Sequence, residues 1–93
     1  MFETADDKFI KEQKDEARKL RKSRWWQNKI AKCACYYCHK ELKKSEVTMD
    51  HLVPIARGGK STKGNVVACC KDCNTKKKYL TVLEWEGYLK SKS

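Results

Sequence analysis

Residues Val47 to Asn74 read VTMDHLVPIARGGKSTKGNVVACCKDCN, and the fold is decided there. The stretch holds an Asp-His pair (Asp50, His51), a Gly-Gly loop and Asn65, and it closes on Cys70, Cys73 and Asn74. Val47 to Val53 has the β-branched and apolar content of a strand, and Pro54 stops it. Arg57 to Gly64 is a loop by its glycines and small polar residues. Asn65 to Ala68 reads as a short second strand, and CKDCNTKKKY, from Cys70 to Tyr79, as a helix. The expected core is strand, loop, strand, helix.

Upstream, Cys35 and Cys38 sit in CYYC. Of the six cysteines, only Cys35/Cys38 and Cys70/Cys73 have two residues between them. That spacing lets a tight turn present two thiolates to one ion. Two such turns complete a closed tetrahedral site of four cysteines, the arrangement of structural zinc rather than of catalysis. Cys33 and Cys69 are left over and read as small buried apolar residues, with Cys69 a secondary ligand candidate. Between the pairs lie 31 residues, more than a plain zinc ribbon carries, so other chemistry is inserted between the knuckles.

Composition bounds the rest. Ninety-three residues with 40% hydrophobic and 37% charged content make one small domain with little core of its own, and such domains depend on staples. The net charge of +10, from 22 Lys and Arg against 12 Asp and Glu, calls for a polyanionic partner. It argues against a zinc-scaffolded protein-interaction domain. Met1 to Asp7 has neither the basic nor the apolar region of an export signal, and no run is long enough to span a membrane. The expectation is a cytoplasmic, monomeric protein. In that reducing setting, paired cysteines bind metal instead of forming disulfides.

Residues 4 to 32 lack Gly and Pro and are rich in Lys, Glu, Gln, Arg and Ala, which predicts one long helix capped by Asp6 or Thr4. Its ragged apolar stripe predicts a loosely attached first half and a second half anchored by Trp25 and Trp26. Arg18 to Arg24 carries five positive charges and no acid. A basic run beside aromatics can follow a phosphate backbone and stack on bases, although tryptophans at helical spacing also serve as core. At the other end, Thr81 and Glu84 form a capping box for a short helix. Val82, Leu83, Trp85, Tyr88 and Leu89 would pack on the zinc core or against Trp25 and Trp26, and residues 90–93 would fray.

In order, Cys-x2-Cys, Asp-His-x-x-Pro, Gly-Gly, Asn-Val-Val and Cys-x2-Cys-Asn-x-x-Lys resemble the HNH endonuclease family in its four-cysteine form. The resemblance covers about Cys35 to Lys78. It implies an α+β fold: a small ββα-metal (HNH, or His-Me finger) core with a four-cysteine zinc knuckle pair, plus a long N-terminal helix and a short C-terminal one. Residues 1–32 would be a basic helical extension, 33–79 the nuclease core, and 80–93 a C-terminal helix packed on it. The signature positions fall on His51, Asn65 and Asn74, the last being Asn where the family often has His.

The chemistry matches. Phosphodiester hydrolysis needs an activated water and neutralised phosphoryl charge. His51 suits a general base. Asp50 and Asn74 offer hard oxygens for Mg2+ or Mn2+. Asn65 would brace the loop that aims His51, and the substrate would be DNA. Since Asp50 and His51 alternate faces in a regular strand, serving one phosphate requires the strand to end, bend or bulge. Lys76, Lys77, Lys78, Arg57, Lys60, Arg21, Lys22 and Arg24 are the candidate contacts to DNA. Taken singly, an Asp-His pair is incidental and a lysine triplet is a solvated face. Their joint placement between two knuckles favours the nuclease over the alternative, a non-catalytic zinc-stabilised nucleic-acid-binding module.

Overall fold

The structure, a computed structural model, describes residues 5–77, 81 and 84–87. Two antiparallel strands form its centre: β3 (Val47–His51) and β4 (Val66–Cys70), in the register Val47↔Cys70 through His51↔Val66. Helix α3 (Lys71–Lys77) follows β4 directly and packs across the pair. A smaller ribbon, β1 (Cys33–Ala34) with β2 (Glu41–Leu42), carries the first cysteine knuckle in its loop. The expected ββα core is present.

β4 is buried on both faces, which explains its continuous VVACC run. Val66 and Ala68 meet Trp26 and Ile30, whereas Cys69 joins Cys35, Leu42, Cys73 and Trp85. Among the described residues, the small core is thus two clusters sharing one strand.

The N-terminal extension is helical but broken. α1 (Asp7–Arg21) is capped by Asp6, whose side chain accepts from the Phe9 amide at 2.8 Å. α2 (Arg24–Ala31) starts anew at Ser23. The Ser23 hydroxyl accepts from Trp26 N at 3.2 Å and donates to Leu20 O at 2.6 Å, ending one helix and capping the next. The break turns Trp26 inward, leaving it 3% exposed. α1 is not loosely attached: Ala17 is buried, Ala5 N donates to Ala56 O at 2.9 Å, and Gln13 bonds to Ser61.

Two glycines set the loop after β3. Gly58 has φ 91°, closing the short helical turn Ile55–Arg57 in a left-handed conformation. Gly59 lies so close to Val53 that a Cβ there would sit 1.7 Å from its carbonyl oxygen. At the C-terminal end, residues 84–87 are helical, the Glu84 carboxylate accepts from Thr81 N at 3.0 Å, and Trp85 packs on the knuckle cluster. The expectations for Val82, Leu83, Tyr88, Leu89 and residues 90–93 lie outside the described residues.

Candidate active site and cysteine cluster

The four knuckle cysteines meet. One sulfur each from Cys35, Cys38, Cys70 and Cys73 lies within 4.8 Å of the others, so the set could hold a metal ion. Burial alone would raise the Cys35 thiol, but N–H donors from Cys38, Cys70 and Tyr37 bring it down to about 7. Cys73 is pushed well up, by burial first and then by the neighbouring sulfurs. Four thiolates this close repel one another unless a cation lies among them. An all-sulfur tetrad with amides aimed at it fits a thiophilic dication. Cys69 is fully buried beside Thr48 and is outside the cluster.

At the far end of β3, alternation sorts the side chains. Thr48 and Asp50 face α3, where Asn74 Nδ2 donates to Thr48 Oγ1 at 3.0 Å and Lys77 Nζ lies 3.1 Å from Asp50 Oδ2. Asn74 and Lys77, three apart, share the helix face that meets the strand. Met49 packs on the opposite side, against the α2 cluster, and His51 turns toward Ser61 with Nε2 2.9 Å from Oγ. The strand ends at His51, and Asn65 grips the chain just beyond it. Its Oδ1 accepts from Val53 N at 2.9 Å, and its Nδ2 donates to Val53 O at 3.1 Å and Lys60 O at 2.8 Å. Opposite faces therefore converge at a strand end: Asp50, His51 and Asn74 line one cleft, with Ile10 and Lys14 of α1 on its rim.

The cleft has a charge arrangement that the sequence does not announce. Tyr37, inside the first knuckle, donates its hydroxyl in a short bond to Asp50 Oδ2. Burial and the Asp50 carboxylate hold that phenol far above its ordinary range, so it stays a donor. Lys77 is 0% exposed and also donates to His51 O at 3.1 Å. Both Asp50 partners take Oδ2, and the Asn74 bond uses its amide nitrogen, so a carboxylate oxygen and an amide oxygen are left outside these bonds. That pair fits a hard divalent cation. His51 is held below its ordinary 6.5, chiefly by burial and further by Arg21 and Lys77, with Asp50 opposing.

The basic residues divide. Arg21, Lys22 and Arg24 are exposed around the α1–α2 break, and Lys60 is exposed in the loop. Lys76 is exposed and lies 3.1 Å from Asp72. Arg57 is mostly covered and pairs with Glu84. Lys77 is buried against Asp50 and His51 and presents no charge at the surface, and Lys78 lies outside the described residues. Tyr37, Ser61 and Gln13 have no place in the sequence reading. An aromatic between two paired cysteines was the available signal for Tyr37, and nothing local marks the other two.

The HNH endonuclease family profile matches residues 35–83, more than half of the chain. The chain belongs to the HNH endonuclease family. It is 37% identical over 54 residues to the CRISPR-associated endonuclease Cas9 of Actinomyces naeslundii, covering 57% of this chain and 5% of that protein. It is 44% identical over 46 residues to the Cas9 of Corynebacterium diphtheriae, covering 48% of this chain and 4% of that one. The chain therefore spans about one twentieth of these curated relatives. Among the described residues, no helix is long and apolar enough to cross a membrane.

Proposed function

We propose that this protein is a divalent-metal-dependent HNH endonuclease that hydrolyses DNA phosphodiester bonds in the cytoplasm, with Zn2+ held by Cys35, Cys38, Cys70 and Cys73. The observation that carries the reading is the convergence of Asp50, His51 and Asn74 on one cleft at the end of β3. A module that only binds DNA has no need of that trio. The net charge of +10 and the exposed Arg21, Lys22, Arg24, Lys60 and Lys76 support a DNA partner.

His51 takes the proton from the attacking water, and its depressed pKa keeps it neutral and ready to do so near pH 7. Asp50 and Asn74 are the residues that would hold the catalytic ion, with one carboxylate and one amide oxygen to offer it. Mg2+ or Mn2+ at that position would neutralise phosphoryl charge and stabilise the departing oxygen. Asn65 clamps the chain just past His51, and Lys77 and Tyr37 fix the Asp50 carboxylate. The test is conversion of supercoiled plasmid to nicked or linear forms with and without Mg2+ or Mn2+, beside His51→Ala. No cleavage with either ion, from folded zinc-loaded protein that still binds DNA, would return the non-catalytic binding module.

A further inference from the structure

We propose that Ser61 and Gln13 are positioning residues that lock His51 with its proton on Nε2, leaving Nδ1 as the nitrogen that accepts a proton. The proposal rests on the general-base reading of His51 and adds to it a part of the chain outside the family match.

A count of protons assigns the tautomer. Ser61 Oγ lies 2.6 Å from the main-chain oxygen of Gln13 and 2.9 Å from His51 Nε2. A hydroxyl has one proton to give and two lone pairs, whereas a carbonyl oxygen can only accept. The single Ser61 proton therefore goes to Gln13 O, and the contact with the ring is made by a proton on Nε2. A neutral imidazole then carries its lone pair on Nδ1. The serine is itself pinned, because its amide donates to Gln13 Oε1 at 2.7 Å. One residue of α1 thus holds Ser61 at two atoms, and Ser61 holds the ring.

Balance shows that the chain of bonds orients and does not conduct. When water gives its proton to Nδ1, the imidazolium keeps its Nε2 proton bonded to Ser61. The Ser61 proton stays directed at Gln13 O, which has no proton to lose and nowhere to send one. The catalytic histidine is consequently aimed by a helix lying outside residues 35–83, and α1 works as part of the site and not only as a basic arm.

The test uses the full chain with 15N-labelled histidine rings above the histidine midpoint, where long-range proton–nitrogen correlations separate the two neutral tautomers. His39→Asn, at a residue with φ 65°, assigns the two rings. The expected result is an Nε2–H ring for His51 with a slowly exchanging proton. Ser61→Ala should speed that exchange and cut cleavage about tenfold with DNA affinity unchanged, and Ser61→Thr should restore both. Gln13→Ala, a milder change in a helix, should speed exchange in the same direction even if Ser61→Ala fails to fold. An Nδ1–H ring in the parent, or exchange unmoved by these variants, overturns the proposal while an inactive His51→Ala leaves the base reading standing. If His51→Ala instead cuts like the parent, the base reading falls and the catalytic role of Ser61 and Gln13 falls with it.

Discussion

The two ends of the β3–β4 pair are built on opposite plans. At the knuckle end, four identical soft donors, two from the β1–β2 loop, one from the end of β4 and one from α3, lie within 4.8 Å of one another. At the cleft end, a carboxylate, an imidazole and an amide reach one space from alternate strand faces and a helix, and each has a different partner. A closed set of like ligands stabilises. A set of unlike groups, each with a nitrogen or oxygen outside its structural bonds, can do chemistry. Mutations at the two ends should therefore fail differently: folding at one, cleavage at the other.

The largest expected effect is at the knuckle. Structural zinc contributes about 10–16 kcal/mol in small domains, more than the whole stability of a typical one. Cys35→Ser or Cys73→Ser should lose the metal and unfold the core, measured by metal content and thermal melting. A variant that melts like the parent would erase the contrast from the knuckle side.

Next comes His51→Ala. It should keep zinc, fold and DNA affinity while cleavage falls about 10²–10⁴-fold, the usual share of a general base. Asp50→Ala and Asp50→Asn would both be poor companions, because each strands the Lys77 ammonium in the interior; Asn74→Ala is the cleaner ligand change. Its activity should partly return at high Mn2+, which titration of the cleavage rate would register. Full activity in His51→Ala would break the contrast from the cleft side.

Lys77 tests whether the two ends are separable at all. It is fully buried at the cleft, yet its partner Asp50 is also bonded to Tyr37 of the knuckle turn. Removing one member of a buried ion pair typically costs about 3–5 kcal/mol, since the other charge is left uncompensated. Lys77→Met should lower the unfolding free energy by about that much in denaturant titration. The Asp50→Asn, Lys77→Met pair should recover part of it. If Lys77→Met lost only DNA affinity, with unfolding unchanged, the lysine would belong to the surface as its sequence suggests.

These cases show where the sequence was informative. The ββα core and the cysteine cluster were legible because order and spacing encode them: two residues between paired cysteines, 31 between the pairs, and β-branched content around Asp50 and His51. The break in the N-terminal helix was not, because Ser23 inside RKSRWW reads as one tolerable helix position until its cap bonds form. Lys76 and Lys77 are the same letter, and only the packing of α3 makes one a surface cation and the other a buried counter-ion. The bond between Gln13 and Ser61 crosses 48 residues, and no periodicity carries contacts of that range.

The smallest effect concerns the proton. Burial, Arg21 and Lys77 disfavour the imidazolium form of His51, so its folded midpoint lies below 6.5. Above 6.5 the ring is neutral folded or unfolded, and this residue gives stability no pH dependence. As pH falls from 6.5 through the folded midpoint, the unfolded chain binds a proton that the folded chain refuses, and stability declines. Cleavage follows the neutral fraction, so its acid limb should also lie below 6.5. Arg21 is exposed in the last turn of α1 and acts on the ring only through its charge. Arg21→Ala should move the acid limb toward higher pH, and added salt should shrink the difference between variant and parent by screening that charge. A limb that stays put in Arg21→Ala would mean that burial, with Lys77 and Asp50, sets the midpoint without Arg21. A shift indifferent to salt would mean that the substitution had instead moved α1, and with it Gln13 and Ser61.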